Sequence, residues 1–271
     1  MPELPEVETI VRDLGAVLKG LRFLGINSSH DNHIAGALDN APLVVDEAVS
    51  SVERRGKFIQ IFFENDFVMT VHLRMSGRLL FRDANEEALK YERTRIDFSG
   101  GTLRFCDMRK FGKVWISKVG EHEEETGVSR LGVEPLNGDL DEAGFIGLMA
   151  GQRGAVKKCL LDQSVVAGIG NIYADEACFY AGIRPDADVA GLNEEQLERL
   201  FLAVIKALKQ GIKNRGTSIS DYADAFGKTG RNQELLMVYG RGSKECLRCG
   251  KILKKVRVAG RGTVYCETCQ A

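Results

Sequence analysis

Four cysteines near the carboxyl end carry the spacing of a metal site: Cys246, Cys249, Cys266 and Cys269 read C-x2-C, sixteen residues, C-x2-C. Each C-x2-C can place two thiolates on one tetrahedral zinc, at about 2.3 Å, and the intervening stretch is long enough for a two-stranded hairpin. Four sulfur ligands would close the coordination sphere, which makes the ion structural. Two disulfides are the rival use of the same cysteines, and a reducing compartment disfavours them. Cys106, Cys159 and Cys178 stand singly in apolar surroundings and read as reduced core thiols.

The other end, "MPELPEVETI", places Val7, Ile10, Val11, Leu14 and Leu18 at helical spacing. Pro5 and the early carboxylates suit a first helical turn, where the dipole is positive. Pro2 and Glu3 then lie ahead of the helix, where a chain end normally frays. Helix formation alone gives them no use.

Positioning elements follow from patterning. The 271 residues suffice for two domains, and 44% hydrophobic with 28% charged residues is ordinary for a globular chain. No run of about 18 apolar residues occurs, and the start lacks the basic-then-apolar order of a signal peptide, so the expected location is cytoplasmic. Net charge is -1, but residues 228–271 hold ten Lys or Arg against three Glu, giving +7 there and -8 in residues 1–227. Such a basic patch is the footprint of a polyanion partner.

"KFIQIFFE", "FVMTVHLRM", "GRLLF", "RIDFSGGTLRF" and "KVWISKV" read as short strands within residues 43–119, with "SGG" as a hairpin turn. An antiparallel sandwich or barrel is expected, ending at the acidic, loop-like "VGEHEEETG". From about residue 135 the pattern turns helical, in "EAGFIGLMAGQ", "GAVKKCLLDQSVV", "NIYADEACFYAGI" and "NEEQLERLFLAVIKALKQGIKNRG". "AGIGN" precedes one of these helices, with Asn171 as the expected N-cap of a helix start able to hold phosphate. Residues 214–233 lack apolar periodicity and read as a long mobile loop.

"PELPEVE", "RRGKF" at 54–58, "HLRMSG" at 72–77, "DMRKFG" at 107–112, "GIGNIYADE" at 168–176, "VYGRGS" at 238–243 and "AGRGTVYCETCQ" at 259–270 occur in one order across the chain. With these motifs the sequence closely resembles the formamidopyrimidine-DNA glycosylases. The resemblance implies an α+β multidomain protein: an N-terminal helix with an antiparallel β-sandwich (2–130), a helix-two-turn-helix domain (131–227) and a four-cysteine zinc-finger β-hairpin (236–271). It also implies a monomer that removes oxidised purines from duplex DNA and then cleaves the abasic strand, with one structural zinc and no other cofactor.

The same resemblance assigns the nucleophile to the amine of Pro2, exposed once Met1 is removed. A terminal amine titrates near 7.7–8.0 against about 10.4 for lysine, so a few hundredfold more of it is neutral at pH 7. Glu3 is implied as the general acid-base, Glu6 as a second carboxylate of the site, and Lys57 as a proton donor or phosphate contact. Arg261 is implied to grip the phosphates beside the lesion. Met75, Arg109 and Phe111 would fill the gap left by the extruded base, and their thioether, planar cation and aromatic ring suit that task. Arg153, Lys157 and Asn171 are expected on phosphates, and the loop around Ser218 and Tyr222 is expected to cap the lesion. One motif departs from the family: where many members carry "KHDH" with a DNA-contacting histidine, this chain reads "KYER", with Tyr91 at the matching position.

Two alternatives have different consequences. An endonuclease VIII-like enzyme would share the architecture but act on oxidised pyrimidines; the leucine in "PELPE" and the set Met75, Arg109 and Phe111 favour the purine branch. A zinc-containing DNA-binding protein without catalysis would have no need of Pro2, Glu3, Lys57 and Arg261 together.

Overall fold

Val7, Ile10, Leu14 and Leu18 line the buried face of helix α1 (Leu4–Leu18) in a computed structural model that describes every residue except Ala35 and Ser220. The helix starts one residue earlier than Pro5. Glu3 is its N-cap and forms a capping box with Glu6, so Glu3 belongs to the helix start rather than to a frayed end.

The chain continues through β1 (Phe23–Ser28), a single turn α2 (Asp31–Ile34), β2 (Val49–Arg55), β3 (Phe58–Phe63), β4 (Phe67–His72), β5 (Gly77–Arg82), β6 (Glu92–Phe98), β7 (Gly101–Asp107) and β8 (Lys113–Lys118). These form two four-stranded antiparallel sheets, ordered β1-β6-β7-β5 and β2-β3-β4-β8. Ile59, Ile61, Met69 and Val71 of one sheet and Leu79, Ile96, Leu103 and Phe105 of the other share a core with the apolar face of α1. This is the expected sandwich, and "SGG" does join β6 to β7. The stretch "VGEHEEETG" is not merely a loop: it contains α3 (His122–Thr126), which buries His122 and stops at Gly127 with φ 83°.

Residues 214–233 depart further from the sequence reading. Arg215 bridges Asp13 of α1 at 2.6 Å and Asp224 at 2.5 Å, and the Phe81 N–H donates to the Ala225 carbonyl at 2.8 Å. Tyr222 and Ala225 join the sandwich core. The segment is therefore pinned along much of its length, although Ser220 lies outside the described residues.

Two compact units result: Met1–Arg130 with Asn214–Gln233, and Leu131–Lys213 with Glu234–Ala271. The second contains α4 (Glu142–Ala150), α5 (Val156–Leu161), α6 (Asn171–Ala181), α7 (Glu194–Lys213) and the hairpin β9 (Lys254–Val258) with β10 (Arg261–Tyr265). The N-cap of α6 is Gly170, and Asn171 is its first helical residue. Asparagine does not cap here because its amide faces the hairpin instead, donating to the Gly262 carbonyl at 3.2 Å. Among the described residues, no helix is long and apolar enough to cross a membrane.

Candidate active site and nucleic-acid interface

At the start of α1, Pro2, Glu3 and Glu6 are all buried. The Glu6 carboxylate accepts two backbone N–H groups, from Glu3 at 2.9 Å and from Thr217 at 2.7 Å. One side chain thus fastens the chain start to the segment expected to cap a lesion. Tyr222 adds a second tie, its buried hydroxyl donating to the carbonyl of Arg215 at 3.1 Å and lying 3.4 Å from that of Glu6. Burial, reinforced by the nearby Glu6 carboxylate, pushes the Tyr222 phenol up, so it stays protonated and able to donate.

Lys57 sits in the turn between β2 and β3 and is only 6% exposed. That turn is fixed to α1 by Arg54, whose Nε donates to Glu8 at 2.8 Å. Burial would raise the Glu8 pKa, but Arg54 and Arg12 outweigh it and hold the carboxyl below its ordinary value. Glu8 is therefore a strut between α1 and the Lys57 turn.

Met75 and Phe111 are about half exposed, at 45% and 50%, on two neighbouring loops of the sandwich. The Arg109 guanidinium lies 5.1 Å from the Phe111 ring centroid, a cation–π contact that pairs the two side chains. Both loops hang on Asp107, which is wholly buried. Its Oδ1 accepts from Ser76 Oγ at 2.5 Å and from the Arg109 N–H at 3.1 Å; its Oδ2 accepts from the Gly112 N–H at 2.8 Å and faces His33 Nε2 at 3.2 Å. Burial pushes this carboxyl up, and the hydrogen bonds from Ser76, Gly112, His33 and Arg109 overcome it, leaving Asp107 below its ordinary value and charged. The glycine ending each motif has a packing cause. A Cβ at Gly77 would lie 2.7 Å from the Phe105 ring, and one at Gly112 only 2.3 Å from it.

In the second unit the cysteine reading holds. The four Sγ atoms lie within 4.8 Å of one another, with 3.9 Å between Cys246 and Cys269 and 3.5 Å between Cys249 and Cys266. A tetrahedron of Zn–S bonds near 2.3 Å has edges of about 3.8 Å, so the cluster fits zinc. The hairpin above it turns through Ala259 and Gly260, with φ 49° and 73°, the two-residue left-handed turn that matches strand twist. Arg261 follows this turn directly and is exposed.

Lys157 is not on the surface. Its ammonium is fully buried, 2.6 Å from Asp175, 2.7 Å from Thr263 Oγ1 and 3.2 Å from the Gly262 carbonyl. The expected phosphate contact is instead an internal tie from α5 and α6 to the residues beside Arg261. Burial drives Asp175 up to about 7 against the pull of Lys157, and its Oδ2 accepts the Val264 N–H at 3.2 Å. Glu176 next to it accepts the N–H groups of Met237, Val238 and Tyr239 at 2.8, 2.9 and 2.9 Å. Burial nevertheless raises its pKa.

Among the other expected contacts, Arg153 is exposed, its guanidinium donating to the Gln152 carbonyl at 2.7 Å. Ser218 staples its own loop, its hydroxyl donating to the Tyr222 carbonyl and accepting the Gly230 N–H, both at 2.9 Å. Tyr91 is 37% exposed at φ 62°, with the Lys90 ammonium 5.0 Å from its ring centroid. Asp107, Asp175 and Glu176 received no role from the sequence. For Asp175 and Glu176 a signal was there: two consecutive acids, "DE", sit in a helix buried from Tyr173 to Phe179. Acids on an apolar face imply paired anchors.

A helix-capped sandwich with a buried carboxylate pair at the chain start makes one unit, and a helical unit with a four-cysteine hairpin presenting an arginine makes the other, the cysteines being the donor set of a structural zinc. Three family models cover most of the chain: formamidopyrimidine-DNA glycosylase N-terminal domain over residues 1–114, formamidopyrimidine-DNA glycosylase H2TH domain over 131–223, and a zinc finger found in FPG and IleRS over 243–271. The chain is 42% identical over 260 residues to the formamidopyrimidine-DNA glycosylase of Moorella thermoacetica, covering 95% of each. Its fold matches Lactococcus lactis Fpg in complex with abasic-site DNA, with TM-score 0.91, 33% identity and 99% of each chain covered. A complex of the wild-type L. lactis protein with DNA containing N7-benzyl-Fapy-dG matches with TM-score 0.91, 32% identity and the same coverage. The chain belongs to the formamidopyrimidine-DNA glycosylase family.

Proposed function

We infer that this protein is a base-excision repair glycosylase that removes 8-oxoguanine and formamidopyrimidines from duplex DNA and cleaves the resulting abasic strand. The observation that carries this is a match along the whole chain to formamidopyrimidine-DNA glycosylases, in a sequence that keeps Pro2, Glu3, Lys57 and Arg261 in the family's motifs.

The reaction begins at the amine of Pro2 after removal of Met1. Its lone pair attacks C1′ of the damaged nucleotide, the glycosidic C–N bond breaks, and the base leaves with a proton. The amine, now bonded to C1′, loses its proton and its lone pair expels O4′, which takes a proton as the C1′–O4′ bond breaks; the opened sugar is left as a cationic iminium, which acidifies the C2′ hydrogen. Loss of that proton breaks the C3′–O bond by β-elimination, and δ-elimination then breaks the C5′–O bond. Glu3 exchanges the sugar-ring and elimination protons, with Lys57 as proton donor or phosphate contact. Arg261 holds the adjoining phosphates and assists the second elimination. Met75, Arg109 and Phe111 occupy the space vacated by the base. Arg153 is the exposed phosphate contact of the second unit, and Asn171 acts beside Arg261 through Gly262. Glu6, Ser218 and Tyr222 hold the capping segment, and Lys157 acts as a positioning residue for Arg261. Tyr91, as a hydroxyl donor, stands at the family histidine's position.

The three-domain division at 2–130, 131–227 and 236–271 and a monomeric, cytoplasmic, nucleoid-associated enzyme complete the reading. It is tested by strand cleavage on matched duplexes carrying 8-oxoguanine opposite cytosine or an oxidised pyrimidine opposite its normal partner. Preferential cleavage of the first is expected. Preference for the second would assign the chain to the endonuclease VIII-like alternative, and no cleavage of either would leave a DNA-binding protein.

A further inference from the structure

His33 is a buried titratable side chain that the reaction described above leaves without a part. It sits in the single turn α2, wholly closed to water, with its ring 4.7 Å from that of Phe105 at a tilt of 37°. Both ring nitrogens are engaged: Nε2 lies 3.2 Å from Asp107 Oδ2, and Nδ1 lies 3.2 Å from Thr94 Oγ1 on β6. The buried carboxylates Asp175 and Asp224 face a lysine and an arginine, whereas Asp107 faces this imidazole.

The partners settle where the hydrogens are. Burial holds His33 below its ordinary pKa against the pull of Asp107, so the ring is neutral at pH 7 and carries one N–H. Charged Asp107 can only accept, which puts that hydrogen on Nε2 and leaves Nδ1 to accept the Thr94 hydroxyl. Thr94 Oγ1 is in turn 3.0 Å from Ser28 Oγ of β1, which donates to the Arg93 carbonyl at 2.8 Å. The stretch holding α2 is tied to β8 as well: the Lys113 ammonium donates to the Asn32 carbonyl, and the Ile116 N–H to that of Gly36 at 3.0 Å. His33 is thus held from β6, β8 and the Phe105 ring.

Of the four groups that meet the Asp107 side chain, three belong to the loops it holds: Ser76 follows Met75, and Arg109 and Gly112 bracket Phe111. Bonds within that set fasten the loops to the carboxylate without fixing the direction in which it points. His33 is the fourth, and it reaches Asp107 from a different element. We propose that His33 is a positioning residue for base extrusion: its Nε2–H sets the direction of the Asp107 carboxylate and thereby the placement of the loops carrying Met75, Arg109 and Phe111. The proposal rests on the glycosylase reading above.

The test uses the full-length protein freed of Met1 and two substrates under single-turnover conditions: a duplex with 8-oxoguanine opposite cytosine, and the same duplex with a preformed abasic site, which has no base to unstack. His33→Leu keeps an apolar side chain and removes both ring nitrogens. Extrusion, read by 2-aminopurine beside the lesion, and excision should each slow about 10-fold, the scale of one hydrogen bond to a charged group, while abasic-strand cleavage slows far less. His33→Gln, whose amide can donate from near the Nε2 position, should restore most of the extrusion rate. Thr94→Val, which removes the donor to Nδ1 at nearly constant volume, should slow extrusion by a smaller factor than His33→Leu and carries the test if that variant does not fold. Equal slowing in the leucine and glutamine variants would make His33 a packing residue and overturn the proposal; so would an equal loss on both duplexes, or extrusion unchanged in the folded variants. In the wild-type protein, 15N NMR at pH 7 should show the neutral Nε2–H ring, and hydrogen on Nδ1 would overturn it. Wild-type protein inactive on both duplexes would instead refute the glycosylase reading itself.

Discussion

Replacing Asp107 by asparagine should loosen both loops that carry Met75, Arg109 and Phe111. The carboxylate meets Ser76, Arg109 and Gly112 as donors and His33 Nε2 as a fourth partner, all in a site closed to water. Asparagine keeps one acceptor and turns the other into an NH2 group. If the amide oxygen stays with Ser76 and Arg109, the new NH2 confronts the Gly112 N–H, while His33 can accept from it by changing tautomer. One buried donor is then left unpaired, at about 1–3 kcal/mol, and the charge assistance to the remaining bonds is lost, at roughly another 1 kcal/mol. The expected sum is about 2–4 kcal/mol. Urea unfolding reads this directly, and fluorescence of 2-aminopurine placed beside the lesion reads base extrusion, which should slow along with excision. Asp107→Asn within about 0.5 kcal/mol of wild type, with extrusion unchanged, would show that the loops do not depend on this carboxylate.

Three further outcomes follow from buried groups. His72 is held down to about 3 by burial, with Arg74 and Lys57 adding repulsion, so the folded protein keeps it neutral while the unfolded chain takes up a proton below about 6.5. Stability should fall as pH drops from about 7 towards 3, by on the order of 2–3 kcal/mol between pH 6.5 and 4.5, and His72→Gln should flatten that part of the profile in urea titrations. Removing one partner of the Lys157–Asp175 pair, as in Lys157→Met, should destabilise the protein by about 3–5 kcal/mol, and adding Asp175→Leu should recover part of that; additive losses in the two variants would refute the internal tie. Cys249→Ser should lose zinc, measured by metal content of the purified protein, and weaken DNA binding through disorder of the hairpin carrying Arg261; undiminished zinc would contradict a four-thiolate site.

The parts of this molecule that could be read from sequence are those whose partners lie close in the chain. The zinc site needed only two C-x2-C knuckles, and β3 to β8 announced themselves through runs of buried branched and aromatic residues. Strand β1, "FLGINS", buries only Phe23, and β2, "VSSVERR", only Val49, so neither shows the alternation that marks a half-buried strand. Both lie at sheet edges, where pairing with β6 and β3 fixes them more than their own side chains do.

Among the site residues, motif position located the side chains but not their surroundings. Lys157 looks like any basic residue near a helix start, and only the fold brings Asp175 and Thr263 to its ammonium. The same holds for residues 214–233, whose polar composition suggested mobility while Arg215, Thr217 and Tyr222 were finding partners on α1 about two hundred residues away. Composition reports solvation preferences; it does not report a carboxylate waiting on a distant helix.

The central claim is that the amine of Pro2 is the nucleophile. Borohydride reduction during reaction with an 8-oxoguanine duplex, followed by proteolysis and mass spectrometry of the trapped adduct, tests it by locating the bond. The expected result is a reduced sugar remnant on the N-terminal peptide, attached at Pro2 of chains lacking Met1. Attachment at Lys57, or strand cleavage with no adduct at all, would contradict it.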